Sequence, residues 1–242
     1  MKIRPCILIA FAFISATVWS QENKVSELPK SKKIINKVEI VAGPTLQFPN
    51  DNGFSERLKQ ASMGTILTSF NSKYGYSLGA GLVHSLSNKF DITGRVLWER
   101  KGYIEKTFGI NGFEYIGDSK NDYLSLYIQP TFFLGKRKNM QIIGGLYYSW
   151  LQGTFRTEKL SLNGQTTISS TTNDPNLKSN DFGLTLGAGY SIAIDTKSKI
   201  AFLLQGNYGL SKIIDINTLT INNNSISFFV TYSRSRFSKQ KY

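Results

Sequence analysis

The sequence is poor in the residues that build disulfides, thiolate metal sites and histidine relays. Its 242 residues contain one cysteine, Cys6, and one histidine, His84. Cys6 lies inside the N-terminal apolar segment, so the chain can form no disulfide and hold no thiolate metal site once that segment is removed. No stretch has the spacing of a metal, phosphate or dinucleotide motif. We therefore expect no cofactor and no metal.

Long apolar runs are also missing behind the N-terminus. A membrane-spanning helix needs about 20 apolar residues, and the run Cys6–Val18 is shorter and follows two basic residues. This layout predicts a secretory signal peptide over residues 1–20, cleaved after Ser20. The polar residues 21–36 that follow predict a flexible periplasmic lead-in. No later segment is apolar over a span length, which excludes a helical membrane protein.

What the sequence has instead is alternation. Proline is scarce at 6 residues, whereas glycine reaches 21 and aromatics reach 13%, a mixture that suits many strands joined by turns. Apolar and polar side chains alternate with a period of two, which is typical of half-buried strands. The eight predicted strands lie at residues 37–48, around Tyr76, and at 90–100, 123–134, 140–150, 181–194, 199–210 and 225–233.

The connections between these segments alternate in length. Short connections at 87–89, 135–139 and 195–198 indicate antiparallel neighbours with all tight turns at one rim. The other connections are long and polar, and the stretch at 166–180 predicts a mobile surface loop. The four long connections lie near residues 49–73, 102–121, 156–180 and 212–224.

Alternation alone does not say which face is buried, and a soluble barrel of the lipocalin type is the alternative. Three features favour a barrel with its apolar face outward. That face is apolar in most strands, with aromatics near the strand ends. The strands of about 10 to 12 residues can cross a bilayer, and the other face mixes charged residues with glycine and tyrosine, which suits a narrow polar interior. We predict an all-β, eight-stranded antiparallel up-and-down transmembrane β-barrel over residues 37–237, with a basic tail at 238–242. The aromatics are Trp98, Trp150, Tyr190 and Tyr208.

Several local patterns resemble a known family. They are the strands YSLGAGL at 76–82 and LTLGAGY at 184–190, the run WERKGY at 98–103 and the run NYGL at 207–210. With them the chain resembles the small outer-membrane β-barrels of Bacteroidota, the porin family or PorT-like proteins, from about Lys37 to Phe237. The resemblance implies the outer membrane of a Gram-negative bacterium, both termini in the periplasm, contact with outer-membrane lipids and insertion by the barrel-insertion machinery. It implies no activity.

The paired glycines Gly79, Gly81, Gly187 and Gly189 face the predicted interior. An eight-stranded barrel is only wide enough for side chains to fill it, so these glycines make room for bulky neighbours such as Tyr123, Tyr127, Tyr147 and Arg95. An unpaired ion there would be costly. We therefore predict a side-chain-filled lumen without a continuous water path, in which a charge network joins Glu39, Asp91, Arg95 and Glu99.

Basic residues give the chain a formal net charge of +13. They are not interleaved along one face, and an exported chain rarely meets nucleic acid, so we expect no nucleic-acid partner. Many fall on the short-turn rim, which should be periplasmic. The hypothesis is that this rim contacts anionic headgroups of the inner leaflet or a periplasmic or secretion-system protein; a solvated basic edge is the alternative. The rim residues are Lys136, Arg137, Lys138, Arg234 and Arg236.

These patterns favour a protein that is not an enzyme: an envelope anchor, a surface-interaction protein or a secretion-accessory component. One alternative is a lipid-modifying enzyme of the lipid A deacylase type, which uses a His-Ser-Glu set; here His84 lies beside Ser85 and Ser87, with Glu99 on the next strand. Against it, His84 lies near the periplasmic rim and Ser85 faces the other side of the strand, whereas a base must reach its nucleophile at hydrogen-bond distance. A narrow pore for small solutes is the third interpretation.

Overall fold

The computed structural model describes residues 35–135, 138–172, 174, 177–216 and 219–236. The predicted signal peptide, all but the last two residues of the lead-in and the basic tail lie outside the described residues. Within these residues, one helix and ten strands follow one another. They are β1 Ile35–Asn50, α1 Phe54–Ala61, β2 Leu67–Ser85, β3 Phe90–Phe108, β4 Glu114–Leu134, β5 Met140–Leu162, β6 Gln165–Thr172, β7 Asn180–Ala193, β8 Ser198–Gly209, β9 Lys212–Ile216 and β10 Leu219–Arg236.

Eight of the strands form a closed antiparallel ring. Neighbours in the ring follow the order β1-β2-β3-β4-β5-β7-β8-β10, and β10 pairs back onto β1. Closure leaves no unpaired strand edge inside the ring, which is the condition for a sheet to cross a bilayer. The predicted all-β, eight-stranded up-and-down barrel is therefore confirmed. The remaining two strands stand on the ring: β6 pairs with β5, and β9 pairs with β10.

The two rims of the barrel differ. The turns after β2, β4 and β7 lie at the rim where β1 begins and β10 ends, which we call the short-turn rim. At the opposite rim, the hairpin rim, strands continue far past the ring. The prediction of long polar loops near 102–121 and 156–180 is wrong for most of their length, because β3 with β4 and β5 with β6 form long hairpins there.

Both hairpins turn on an Asn-Gly pair. Asn111 and Gly112 have φ of 57° and 69°, and Asn163 and Gly164 have φ of 48° and 81°. Two consecutive left-handed residues are the signature of the type I′ turn, whose twist matches that of the flanking strands. The serine- and threonine-rich sequence beyond the second turn therefore folds back as β6 rather than as a mobile loop.

The connection between β1 and β2 contains α1, which the sequence did not predict. Its preceding residue Gly53 is left-handed, with φ of 76°, and no side chain of α1 is buried. The carboxylate of Asp51 accepts hydrogen bonds from the backbone N–H groups of Gly53 and Ser55 and so holds the start of the helix. Among the described residues, no helix is both long enough and apolar enough to cross a membrane.

Burial runs opposite to that of a soluble protein. On β3, Asp91, Arg95 and Glu99 are buried, whereas Ile92 and Trp98 are exposed. The same inversion holds along the ring, so polar side chains fill the interior and large apolar side chains cover the outside. A soluble barrel of the lipocalin type would show the reverse, and that alternative is wrong; the pattern is that of strands with a lipid-facing side.

Two apolar clusters lie inside this polar interior. The lower cluster sits in the ring, where it draws side chains from several walls: Val41, Leu97, Tyr127, Ile143, Tyr147, Ala201, Leu203 and Phe229. The upper cluster, which we call the cap, lies at the hairpin rim. It consists of Tyr103, Leu177, Ile213, Ile214 and Ile221, with Phe70, Leu151 and Leu219 packed against it.

Candidate functional site

The lumen contains the predicted pair of Arg95 and Glu39. Arg95 Nε donates to Glu39 Oε1 at 2.5 Å and Nη2 donates to Oε2 at 3.4 Å. The pair spans β2, where Gly81 lies between the two strands that carry it. A Cβ on Gly81 would lie 2.7 Å from Glu39 Oε1 and 3.0 Å from Arg95 Cγ. The absence of a side chain at Gly81 therefore makes room for the ion pair.

The other predicted members of the network have partners of their own. Asp91 binds Lys37, whose Nζ lies 3.1 Å from its carboxylate. Glu99 binds Lys101, with 3.0 Å between Nζ and Oε2, and both side chains are almost fully buried. The predicted network lacked Lys37 and Lys101 because it paired the acids with Arg95 alone. The four predicted residues therefore belong to three ion pairs rather than to one cluster.

Two of the three pairs are nevertheless joined by amides and a phenol that cross the lumen. Arg95 Nη1 donates to Gln129 at 2.8 Å, and Gln129 donates to Gln205 on the far wall at 2.9 Å. The chain runs on through Asn207 to the hydroxyl of Tyr127, which donates to Glu99 at 3.0 Å. Every one of these side chains is buried. This chain of bonds therefore links opposite walls of the lumen through buried side chains.

Lys101 is surrounded by aromatic rings as well as by Glu99. Its Nζ lies 5.4 Å from the ring centroids of both Tyr123 and Tyr147. Desolvated cations over aromatic faces are stabilised by the ring quadrupole. Directly above this level the cap closes the interior at the hairpin rim, because fully buried Tyr103, Ile213 and Ile221 fill it. Buried side chains therefore line the interior from the level of Asp91 to the cap.

An ion cluster lies beyond the cap on the inner face of the hairpins. Arg156 Nη2 lies 2.6 Å from Glu105 and 2.7 Å from the hydroxyl of Tyr115, and its Nε lies 2.9 Å from Glu158. Tyr115 in turn donates to Glu158 at 2.7 Å. The cluster ties β3, β4 and β5 together outside the ring, so the protruding hairpins are built as one sheet.

Burial acts on the ionisable groups of this cluster. It raises the pKa of Tyr115 to about 12, and the hydrogen bond to Glu158 acts in the same direction. Burial alone would lower the pKa of Arg156, but the hydrogen bond with Tyr115 and the neighbouring Tyr103 raise it by more. At neutral pH the arginine is therefore charged and the phenol is neutral, as the observed bonds require.

The residues of the deacylase alternative are not brought together. His84 pairs with Ile92 near the short-turn rim, whereas Glu99 pairs with Ser77, seven residues further along β2. Seven residues of a strand span about 23 Å, which no hydrogen bond bridges. Ser85 lies beside His84 in the chain and points to the other face. Among the described residues, no group of histidine, cysteine and acidic side chains could hold a metal ion.

The predicted basic rim is only partly within the described residues. Lys136 and Arg137 lie outside them. Lys138 follows the turn between β4 and β5 and is half-buried, and Arg234 is exposed on β10 opposite Val38. The backbone of Arg236 pairs with Asn36 at the same rim. Lys138, Arg234 and the backbone of Arg236 thus share the short-turn rim.

Comparison with known proteins adds a family to this geometry. Residues 36–215 match the model of the family described as outer membrane protein beta-barrel domain. No curated protein is significantly similar to the chain in sequence.

Solved outer-membrane barrels are similar in structure at low sequence identity. The outer membrane protein OprG from Pseudomonas aeruginosa is 9% identical, with 84% of this chain and 97% of that chain covered and a TM-score of 0.42. Ail, the attachment invasion locus protein of Yersinia pestis, is 14% identical, with coverage of 83% and 99% and a TM-score of 0.39. The protease OmpT from Escherichia coli is 10% identical, with coverage of 88% and 99% and a TM-score of 0.38. Similarity at this level says nothing about the activity of the chain.

Proposed function

Because the chain belongs to the family of outer membrane protein beta-barrel domains, we propose that it is a non-enzymatic outer-membrane component that displays protruding hairpins on a sealed barrel. In this role it is an envelope anchor and a surface-interaction protein rather than a pore. The observation that carries the proposal is the chain of buried hydrogen bonds from Arg95 to Glu99, which crosses the lumen from wall to wall.

The hairpins support the surface-interaction part of the proposal. A barrel that only anchors itself has no need of strands beyond the bilayer, yet β5 continues from Trp150 to Leu162 and β6 returns along it. The twelve residues after Trp150 span about 40 Å along the strand. The Arg156 cluster and the cap stiffen this extension, and a rigid extension is what presents a binding surface at low entropic cost.

Conductance in planar bilayers separates the proposal from the pore alternative. Purified protein inserted into the bilayer should give no stable openings. The matched variant is Lys101→Ala with Glu99→Ala, which removes the ion pair above the lower cluster and should allow intermittent openings. Stable openings of the unaltered protein would contradict the proposal. An assay of lipid A acylation separates the proposal from the deacylase alternative. Lipid A should keep all its acyl chains after incubation with the unaltered protein and with His84→Ala.

The short-turn rim is proposed to contact anionic headgroups of the inner leaflet or a periplasmic protein. Support comes from Lys138 and Arg234, which both lie at that rim, on different sides of the ring, where a positive potential attracts anionic lipid. Replacing both residues by glutamate should weaken association with vesicles rich in anionic lipid and reduce periplasmic crosslinks. Unchanged association and unchanged crosslinks would overturn this part.

A further inference from the structure

In the described part of the chain, the strand β6 has a free edge beyond the ring. It pairs with β5 along Phe155–Leu162, and among the described residues no strand pairs with its second edge. Every residue from Gln165 to Thr172 is exposed. The contrasting case is β9, whose second edge is met by Leu177 and by the backbone N–H of Lys178. Among the described residues, β6 thus differs from β9 in that no strand pairs with its second edge.

This edge lacks the features that normally protect one. Natural sheets guard exposed edges with charged side chains, proline or bulges, because unpaired N–H and C=O groups are a template for another strand. The sequence of β6, QTTISSTT, contains neither a charge nor a proline, and its register with β5 is uninterrupted over eight pairs. Its only large apolar side chain, Ile168, is 68% exposed.

The turn decides which backbone groups face the free edge. Asn163-Gly164 closes on the pair of Leu162 and Gln165, and the closing pair of a two-residue hairpin exchanges both its hydrogen bonds. Bonded pairs alternate along the ladder, so Thr167 and Ser169 bond β5. The residues that turn their N–H and C=O groups to the free edge are Thr166, Ile168 and Ser170.

A second copy in the same membrane does not fit this edge. Two copies in one bilayer are related by rotation about the membrane normal. Such a rotation leaves unchanged whether a strand points up or down along that normal, so antiparallel pairing is excluded. Strands in such barrels tilt by about 35–45°, so a two-fold rotation would cross the two β6 strands at close to a right angle. Crossed strands cannot form a ladder.

We propose that the free edge of β6 binds an extended, proline-free segment of a partner protein by strand addition; this rests on the proposed surface-interaction function. The side-chain rows beside the edge define the chemistry of the segment. On the outer face Ile168 and its pair Lys159 favour an apolar or acidic residue. On the inner face Thr167 and Ser169 favour small polar residues. In the bound segment, apolar or acidic residues thus alternate with small polar residues.

The matched variants are Ser170→Pro and Ser170→Ala. Both remove the hydroxyl, but only proline removes the edge N–H, and proline is tolerated on an edge strand when its N–H is not used by the sheet. The probe is a short synthetic peptide of alternating valine and threonine with a central glutamate. A second probe has the same sequence with N-methyl groups on the amides of one edge. Both are offered to the full chain in lipid nanodiscs.

The unaltered protein and Ser170→Ala should bind the parent peptide with affinities within about twofold of each other. Ser170→Pro should bind at least about tenfold more weakly, the ratio that corresponds to about 1.4 kcal/mol. Hydrogen exchange should show new protection at Ile168 and Ser170 when the parent peptide is bound. The amides of Thr167 and Ser169 should stay protected in both variants, which verifies that the hairpin is intact.

If Ser170→Pro disturbs the hairpin, the N-methylated probe still tests the proposal, because this probe is used with the unaltered protein. The N-methylated probe should not bind, since it lacks the N–H groups that pair with the edge of β6. Equal binding of the two probes, no binding of the parent peptide to the unaltered protein, or equal affinity of the two variants with an intact hairpin would each overturn the proposal. An open pore in the conductance experiment would overturn the sealed barrel and leave this result standing, so the two failures are distinguishable.

Discussion

Arg95 and Glu39 form a buried ion pair across β2, with Arg95 Nε 2.5 Å from Glu39 Oε1 and side chains that are 4% and 5% exposed. The pair illustrates how the barrel stabilises charged side chains in its interior. Its interior is shielded from water by its own side chains, and its exterior meets lipid, so each ion needs a partner inside.

Removing one member of that pair should cost far more than removing both. Glu39→Met leaves Arg95 buried without its carboxylate, and the expected loss in free energy of unfolding is about 3–5 kcal/mol. The double variant Glu39→Met with Arg95→Met should lose less than the sum of the single variants. Urea unfolding from lipid vesicles, followed by tryptophan fluorescence, measures all four proteins. Additive losses would show that the two side chains are energetically independent.

A side chain at Gly81 should disturb the same pair. Gly81→Val places its Cβ 2.7 Å from Glu39 Oε1 and 3.0 Å from Arg95 Cγ, and overpacking of this kind costs about 1–3 kcal/mol. Gly94→Val is the matched control, because a Cβ at Gly94 meets nothing within 4 Å and points to the lipid. The midpoints of heat-modifiable gel migration should separate the variants. A loss at Gly94 as large as at Gly81 would contradict the packing explanation.

The second Asn-Gly turn should fix the β5–β6 hairpin. Gly164 has φ of 81° and open space around its Cβ position, so Gly164→Ala incurs a backbone cost alone, expected at about 1–2 kcal/mol. Faster hydrogen exchange at Thr167 and Ser169 would report it. Gly153→Ala, which also has open space and lacks a positive φ, should leave exchange unchanged. If both variants behave alike, the left-handed turn does not hold the hairpin.

The Arg156 cluster should weaken at high pH. The folded state holds Tyr115 in its neutral form and raises its pKa to about 12, against about 10 for a free phenol. The folded hairpin then binds the proton more tightly than the unfolded one. Its contribution to stability is complete below about pH 10 and falls as pH rises towards 12.

The loss of stability at high pH can be tested by hydrogen exchange or proteolysis of the β3–β4 hairpin. The quantity compared is the local stability of the hairpin in the unaltered protein and in Tyr115→Phe. The difference should be constant at neutral pH and change between about pH 10 and 12. Tyr74→Phe, which removes a phenol that is 80% exposed, is the control. A difference that does not vary over that range would show that Tyr115 does not titrate with the hairpin.

The sequence predicts the ring well because every strand in it has one lipid-facing side. That constraint forces a period of two over a full membrane crossing, and the alternation from Phe90 to Trp98 is an example. Hairpins outside the bilayer are under no such constraint. The segment from Gln165 to Thr172 is polar on both faces, so alternation could not reveal it, although the Asn163-Gly164 pair is a specific hairpin signal that predicts it.

The sequence predicts which side chains of the ring face the interior, but not which of them pair. The inward positions of Glu39, Arg95 and Glu99 follow from the alternation of side chains along a strand. Their partners do not, because Lys101 lies past the last apolar residue of the predicted strand and Lys37 at the very start of another. Contacts such as that from Gln129 to Gln205 depend on the stagger between opposite walls, which local sequence does not encode.

The central claim is that the apolar side of each ring strand faces lipid. Two tryptophans allow this to be measured. Trp98 and Trp150 lie on that side, and a chain starting at Gln21 contains no other tryptophan. The measurement is quenching of their fluorescence by lipids brominated along the acyl chain, in vesicles that contain the folded protein. We expect strong quenching by lipids brominated near the headgroup, and little quenching by iodide in the water phase. Fluorescence that is insensitive to brominated lipid would contradict a lipid-facing apolar side.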